Sequence, residues 1–161
     1  MGSVAVIVRH CTPDDAAAMD AHQPAARRYA LGPLARQESG LTDFLVAELD
    51  GVIVGSGELT TTDPAELKSL SVEASARGRG VGSPIIAVAE MVVDERHGPL
   101  RERPRQLVVG VGLDNLRAAA LYDRFGFVRT GVVSTTTYEY VDDEGATRTA
   151  TETDEELTKI W

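Results

Sequence analysis

The sequence predicts an α/β (α+β) domain, a mixed and mostly antiparallel sheet of about six or seven strands flanked by about four helices. Three observations predict this fold. Asp50-Gly51 joins two β-rich runs, which is typical of a hairpin with a type I′ turn. A glycine-rich loop at 77–82 precedes an apolar stripe at helical spacing. From residue 127 onward, the chain is again rich in β-branched and aromatic residues.

The N-terminal part of the chain predicts one strand and two helices. Residues 4–9 are rich in β-branched side chains and predict a short strand. Thr12 supplies an N-cap and is followed by proline and two carboxylates, so a helix should continue to about His22. A second helix is expected from about Ala25 to Glu38, and Gly32-Pro33 should break or kink it.

The remaining elements alternate around the glycine-rich loop, and no internal repeat or linker divides them. We therefore expect a single domain over residues 1–161. Gly126 should end the second of the two later helices. The predicted elements are strands at 44–49, 52–60, 66–72 and 107–111, helices at about 84–93 and 116–125, and strands at 127–133, 135–141 and 157–161.

Composition and charge exclude several classes of protein. Apolar residues make up 43% of the chain and charged residues 25%, as in ordinary soluble domains. No apolar run approaches the roughly 20 residues of a membrane helix, so we expect a cytoplasmic protein without a membrane partner. The net charge of −9 argues against a nucleic-acid surface and suits a cationic small molecule.

Cysteine and histidine do not indicate a metal centre. Cys11 is the single cysteine, which excludes an intramolecular disulfide and a thiolate cluster. His10, His22 and His97 lie in three separate regions without metal-ligand spacing. We therefore expect no metal site.

The loop Arg77-Gly78-Arg79-Gly80-Val81-Gly82 has the properties of a phosphate site. Its glycines let a ligand approach the backbone, its two arginines are cationic donors, and a helix N-terminus follows. The alternative interpretation is a solvated arginine pair beside a tight turn. No Gly-Lys-Ser/Thr follows the loop, so a Walker-type site is not supported. A dinucleotide fingerprint at 110–115 also fails, because Asn115 replaces its third glycine.

Two blocks of this sequence resemble the GNAT superfamily of N-acetyltransferases. The loop at 77–82 is similar to the family signature Gln/Arg-x-x-Gly-x-Gly/Ala. Residues 110–122, followed by Phe125-Gly126-Phe127, resemble the later family segment in order and separation. Together the blocks cover about residues 65–130. The resemblance implies a sheet whose central strands, before and after the loop and its helix, splay apart.

The resemblance also implies a cofactor, acetyl-CoA, and the residues that bind it. The strand before the loop would pair with the pantetheine arm, the loop would hold the diphosphate, and Asn115 would lie near the arm. As an alternative, Asn115 is simply a helix cap. The implied cofactor-binding residues are Leu70, Ser71, Val72, Arg77, Gly78, Arg79, Gly80, Val81, Gly82, Ser83, Asn115 and Tyr122.

Acyl transfer to an amine requires a base, an oxyanion donor and an acid. By resemblance, Tyr122 is the candidate acid for the coenzyme A sulfur, although core packing alone would also explain it. A backbone N–H near Val72 is the candidate oxyanion donor. Glu66 is the candidate base, and alternation should place it on the same face as Leu70 and Val72. Glu73, Glu58 and a water relay are the competing bases, and a solvated strand-end charge is the alternative for Glu66.

The implied activity is transfer of an acetyl group from acetyl-CoA to a primary amine of a small molecule or peptide, by direct attack in a ternary complex. The alternatives are a non-catalytic acyl-CoA-binding or sensor module, and an acyltransferase that uses a different acyl-CoA. The fold does not name the acceptor, although the acidic balance favours a cation. Homodimers are common among such proteins, but no sequence feature locates an interface.

Overall fold

The computed structural model describes residues 5–21, 23, 28–98 and 103–161. In these ranges it contains a seven-stranded sheet and four α-helices, which confirms the predicted fold class. None of the helices described is long and apolar enough to cross a membrane. The elements in chain order are β1 Val6–His10, α1 Pro13–Ala21, α2 Leu31–Glu38, β2 Thr42–Leu49, β3 Val52–Thr60, β4 Ala65–Val72, α3 Gly82–His97, β5 Gln106–Gly112, α4 Leu116–Arg124, β6 Val128–Val141 and β7 Thr147–Ile160.

The strands lie in the order β1-β2-β3-β4-β5-β7-β6, and β4 and β5 are the parallel pair at the centre. Their pairing runs from Ala65 with Leu107 to Leu67 with Val109 and then stops. β4 and β5 nevertheless continue for several residues, paired with β3 and β7 on their outer sides. The two central strands therefore splay apart beyond Leu67, as predicted.

β4 contains a bulge at Ser69, whose φ is 55°. Between its paired positions Lys68 and Ser71, β4 advances by one residue more than β3 does. Two residues of β4 thus face Gly57 of β3, and the extra residue leaves the hydrogen-bond ladder. The bulge lies just beyond the point where β4 and β5 separate.

This bulge changes which side chains of β4 face α3. A Cβ on Gly57 would lie 3.1 Å from Leu67 Cδ1 and 3.7 Å from Leu70 Cδ1, so both leucines share the α3 face. Strict alternation would place them on opposite faces. The prediction that Glu66 shares a face with Leu70 and Val72 is therefore wrong, because Glu66 precedes the bulge and faces away from α3.

The helices cover both faces of the sheet. On one face, α3 contributes buried Ile86, Ala89 and Val93 to a core that also contains Tyr122 of α4. On the other face, α1 and α2 pack on β2 in a separate apolar cluster that includes Leu34. Burial of a large aliphatic side chain contributes about 1.5–3 kcal/mol, so both clusters hold their helices against the strands.

The capping and turn predictions are confirmed where residue types dictate geometry. Thr12 Oγ1 accepts from the N–H of Asp15 at 3.2 Å, and a carboxylate oxygen of Asp15 accepts from the N–H of Thr12 at 2.8 Å. This reciprocal pair begins α1 as a capping box. Asp50 and Gly51 have φ values of 52° and 80°, as a type I′ turn requires.

The prediction for the second helix is partly wrong. α2 begins at Leu31, and Pro33 lies in its first turn, where a missing N–H breaks no intrahelical hydrogen bond. Gly32-Pro33 therefore neither breaks nor kinks the helix. Residues 24–27, where the predicted start falls, lie outside the described residues.

The C-terminal strands are longer than predicted. The two strands predicted at 127–133 and 135–141 form one strand, β6 (Val128–Val141), with an irregularity between Arg129 and Val133. β7 begins at Thr147 rather than near residue 157. The polar run from Thr147 onward lacks apolar alternation, yet it pairs with β6, and Thr137 and Thr151 are hydrogen-bonded across the two strands at 3.0 Å.

Candidate active site

The glycine-rich loop leaves its backbone open to solvent. Gly78 and Gly80 have φ values of 79° and 75°, and a Cβ at either position would meet no atom within 4 Å. Ala76 and Val81, on either side of the glycines, are buried in the apolar cluster beneath the loop. The loop is therefore anchored at both ends, with an accessible backbone between them.

Helix α3 begins directly after this loop without a side-chain cap. Its N-cap residue, Val81, makes no capping hydrogen bond. The first N–H groups of a helix have no intrahelical partner and carry a partial positive charge, so they attract an anion. Ser83, in the first turn and half-buried, adds a hydroxyl at the same place. The helix start and the open loop together form a site suited to phosphate groups.

The two arginines of the loop have different surroundings. Arg77 Nε donates to the carbonyl oxygen of Val72 at 3.2 Å, which ties the loop to the end of β4. Arg79 is exposed, and its side chain makes no hydrogen bond or ion pair within the described ranges. Arg79 is therefore the arginine of the loop whose guanidinium is available to a ligand.

Helix α4 packs against the start of α3. A Cβ on Gly82 would lie 2.9 Å from Leu121 Cδ2, so a glycine is needed for this close approach. Asn115 is the N-cap of α4, and its Oδ1 accepts from the N–H of Ala118 at 3.1 Å. The capping interpretation of Asn115 is thus correct, and its amide Nδ2 remains for any contact with a cofactor.

Tyr122 lies on the buried side of α4. It is only 3% exposed, and its ring contacts Phe127 edge-on with centroids 5.4 Å apart. Burial raises the pKa of Tyr122 to about 12, so the phenol keeps its proton at neutral pH. No hydrogen bond of its hydroxyl to another described residue is present, which leaves that proton for another partner.

The unpaired edge of β4 is the edge that faces β5. Beyond Leu67, the backbone of β4 no longer pairs with β5, and the bulge at Ser69 removes a further group from the ladder with β3. Leu70, Ser71 and Val72 follow the bulge on this edge. Their backbone is therefore available for hydrogen bonds with a ligand that enters between the strands.

The three candidate carboxylates differ in their surroundings. Glu58 is 6% exposed; Arg36 Nε donates to its Oε2 at 2.6 Å, and Arg36 Nη2 donates to its Oε1 at 3.0 Å. These bonds, with a third from the Thr42 hydroxyl, hold the pKa of Glu58 below its usual range and disfavour a role as base. Glu66 is half-buried and lies one residue before the splay. Glu73 is exposed just after β4.

Two cavities lie on the face of the sheet that α1 and α2 cover. The first, of about 320 Å³, is lined by Arg36, Glu58 and Ser69 among others, and we call it the Glu58 cavity. The second, of about 520 Å³, is lined by Ser71 and Glu73 among others, and we call it the Glu73 cavity. Both therefore adjoin the part of β4 that carries the bulge and the open edge.

Comparison with known proteins identifies the family. A profile of the acetyltransferase (GNAT) domain matches residues 40–129, which is more than half of the chain. Curated protein sequences contain no significant match. Among solved structures, a ribosomal-protein-alanine N-acetyltransferase from Brucella melitensis has a TM-score of 0.65 at 22% identity, with 96% of this chain and 99% of that chain covered.

Two further solved structures contain the cofactor. The PaiA N-acetyltransferase from Thermoplasma acidophilum, in complex with coenzyme A, has a TM-score of 0.65 at 16% identity, with 98% of this chain and 99% of that chain covered. A GNAT family acetyltransferase from Elizabethkingia anophelis, with acetyl-CoA bound, has a TM-score of 0.62 at 16% identity, with 97% and 98% covered.

The splayed strands, the open glycine loop and the matching profile define the class of protein: an acetyltransferase. The chain belongs to the GNAT family of acetyltransferases. The sequence had indicated the loop and α4 through their motifs. Residues 22–40 were expected on the acceptor side, but no motif singled out Tyr29, which lines both cavities, or the bulge at Ser69, because each depends on pairing or contact between distant segments.

Proposed function

We propose that this protein transfers an acetyl group from acetyl-CoA to a primary amine of a small molecule or peptide by direct attack in a ternary complex. The observation that carries the proposal is the opening between β4 and β5, which leads to an uncapped helix N-terminus and an open glycine loop. A cytoplasmic location, a homodimer and a single domain over residues 1–161 remain predictions.

The cofactor fits the residues around this opening. The unpaired edge of β4 suits a pantetheine arm, since that arm carries amide groups that pair with free backbone. The loop and the first turn of α3 suit the diphosphate. When bound, acetyl-CoA supplies a thioester whose C–S bond breaks as the amide C–N bond forms. The residues proposed to hold it are Leu70, Ser71, Val72, Arg77, Gly78, Arg79, Gly80, Val81, Gly82, Ser83, Asn115 and Tyr122.

Tyr122 is the proposed acid. Its phenol remains protonated at neutral pH because burial raises the pKa to about 12, and the hydroxyl has no partner among the residues described. It would give its proton to the departing thiolate sulfur, leaving coenzyme A as a thiol. The contact of α4 with Gly82 favours this role, since it brings the helix beside the proposed diphosphate loop.

Glu66 is the proposed base. It faces the same side of the sheet as the two cavities and precedes the splay by one residue, and its backbone N–H donates to Thr60 Oγ1 at 2.9 Å. The carboxylate would take a proton from the acceptor ammonium, directly or through a water molecule. The sequence indicated a backbone N–H near Val72 as the oxyanion donor. Because the bulge takes an N–H at Ser69 or Leu70 out of the hydrogen-bond ladder, that N–H is the proposed donor instead.

The test is calorimetric titration with acetyl-CoA, followed by measurement of coenzyme A release with amino acids, polyamines, aminoglycosides and peptides. The net charge of −9 favours cationic acceptors, so release should be fastest with these. Binding without release across the panel would favour a non-catalytic acyl-CoA sensor. Tight binding and turnover of a longer acyl-CoA instead would change the donor, and an absence of binding would overturn the assignment of the loop.

A further inference from the structure

Tyr29 lies where the two cavities meet. Both the Glu58 cavity and the Glu73 cavity are lined by Tyr29 and by Ser56 of β3. The Tyr29 hydroxyl and the Ser56 hydroxyl are 3.0 Å apart and hydrogen-bonded. Tyr29 precedes α2, so this hydrogen bond ties the segment before α2 to β3 at the place where the two cavities meet.

A buried carboxylate fixes the backbone at this position. Asp20, near the end of α1, is 7% exposed, and its Oδ1 accepts from the N–H of Tyr29 at 3.2 Å and from the N–H of Ala30 at 3.3 Å. Ala30 is the N-cap residue of α2 and has no capping side chain of its own. Asp20 therefore satisfies two backbone N–H groups just before α2, and it holds Tyr29 in place at its backbone while Ser56 holds it at its hydroxyl.

The Glu58 cavity is the better place for a reacting amine. Ser69, the bulge residue beside the splay, lines this cavity, whereas the Glu73 cavity meets β4 further along, at Ser71. Its volume of about 320 Å³ is at the lower end for sites that hold small molecules. Without the tyrosine ring, the two cavities would form one groove with more than twice the volume of the Glu58 cavity alone.

We propose that Tyr29 is a specificity-determining residue: its ring, bonded to Ser56, closes the Glu58 cavity and restricts the acceptor to compact primary amines. This inference rests on the proposed function of the same site. A longer amine would meet the ring before its nitrogen reached the bulge, so the wild-type protein should lose activity as the acceptor lengthens. Removal of the ring should open the path into the Glu73 cavity.

The experiment measures kcat/KM for a series of straight-chain amines from ethylamine to octylamine, and for the matching terminal diamines. Three variants are compared with the wild-type protein: Tyr29→Ala, Tyr29→Phe and, as a control, Met91→Ala on the outer side of α3. Tyr29→Ala should raise the ratio of long-chain to short-chain kcat/KM by about tenfold, the lower end of what a pocket gains per added group. Tyr29→Phe should shift the profile less, and Met91→Ala should leave it unchanged.

Two results separate the inference from the function on which it rests. Turnover by the wild-type protein with the same length profile in Tyr29→Ala would overturn the role of Tyr29 and leave the acetyltransferase assignment intact. No turnover of any amine by the wild-type protein, with acetyl-CoA still bound, would overturn both. Calorimetric titration of Tyr29→Ala with acetyl-CoA provides the check on folding, since Tyr29 is not one of the residues proposed to bind the cofactor and the affinity should change little.

Discussion

The cofactor side and the acceptor side of this protein are built in different ways. The proposed cofactor site is formed mainly by one continuous segment, from the bulge of β4 through the glycine loop to the first turn of α3. The proposed acceptor side, the Glu58 cavity, is lined by Tyr29, Arg36, Ser56 and Glu58 among others, which come from α2, the segment before it, and β3. A phosphate site can be local because backbone N–H groups supply it, whereas a shaped cavity needs side chains from several elements.

This difference predicts how each side responds to substitution. On the cofactor side, a variant should change one function, either cofactor binding or proton transfer, with little effect on stability. On the acceptor side, the side chains are also bonded to one another, so a variant should alter stability as well. Three substitutions test this distinction, from the largest expected effect to the smallest.

Tyr122→Phe should lower kcat by about 100-fold, at the lower end for removal of a general acid, with little change in affinity for acetyl-CoA. The ring and its contact with Phe127 are retained, so the free energy of unfolding should change little. Steady-state kinetics and calorimetric titration measure the two effects. Tyr140→Phe removes an exposed hydroxyl of β6 as the control. An unchanged kcat would leave Tyr122 as a packing residue only.

Arg79→Ala should weaken acetyl-CoA binding by about 1.5–3 kcal/mol, the range for a hydrogen bond to a charged group. Because Arg79 has no side-chain partner in the described part of the chain, stability should not change. Titration at low and high salt measures the loss, which should shrink at high salt as the ionic contact is screened. Arg124→Ala, at the end of α4, is the control. Equal affinities would remove Arg79 from the diphosphate site.

Glu58→Gln should reduce the free energy of unfolding by about 1.5–3 kcal/mol at neutral pH, because Arg36 and Thr42 lose a charged acceptor. The folded state lowers the pKa of Glu58, so this stabilisation is present above the unfolded pKa of roughly 4.3 and is lost as pH falls through the folded pKa.

Urea unfolding between neutral and acidic pH tests both statements about Glu58. The wild-type protein should lose more stability than Glu58→Gln as the pH falls below about 4, and the two curves should converge. Glu38→Gln, an exposed change at the end of α2, is the control. Parallel curves would show that the ion pair with Arg36 contributes nothing to folding, and the distinction between the two sides would fail.

Local sequence signals predicted most of the fold. Asp50-Gly51 and Thr12 were interpreted correctly because the turn and the cap depend on the residues themselves. β7 was underestimated because its polar residues are stabilised by pairing with β6 rather than by burial. The break predicted at Pro33 was wrong because Pro33 lies in the first turn of α2, where a missing N–H breaks no intrahelical hydrogen bond.

In the candidate site, too, the features set by local residues were predicted and those set by contacts between distant segments were not. The motifs around Arg79 and Tyr122 indicated their positions, because each motif lies in one segment of chain. The bulge at Ser69 depends on the register between β3 and β4, and no residue type at that position requires it. Tyr29 and Ser56 are separated by 27 residues and meet only when α2 packs on the sheet. Contacts of this kind cannot be deduced from spacing along a chain.

The position of β7 between β5 and β6 affects how the protein folds during synthesis. β7 follows both strands in the chain, so a ribosome makes β5, α4 and β6 before the strand that separates them in the sheet. Until β7 is complete, Val109 has no Leu157 opposite it, and the core around Tyr122 is open on that side. Such non-local pairing is slow to form. The nascent chain is therefore expected to need protection from aggregation most just before β7 inserts.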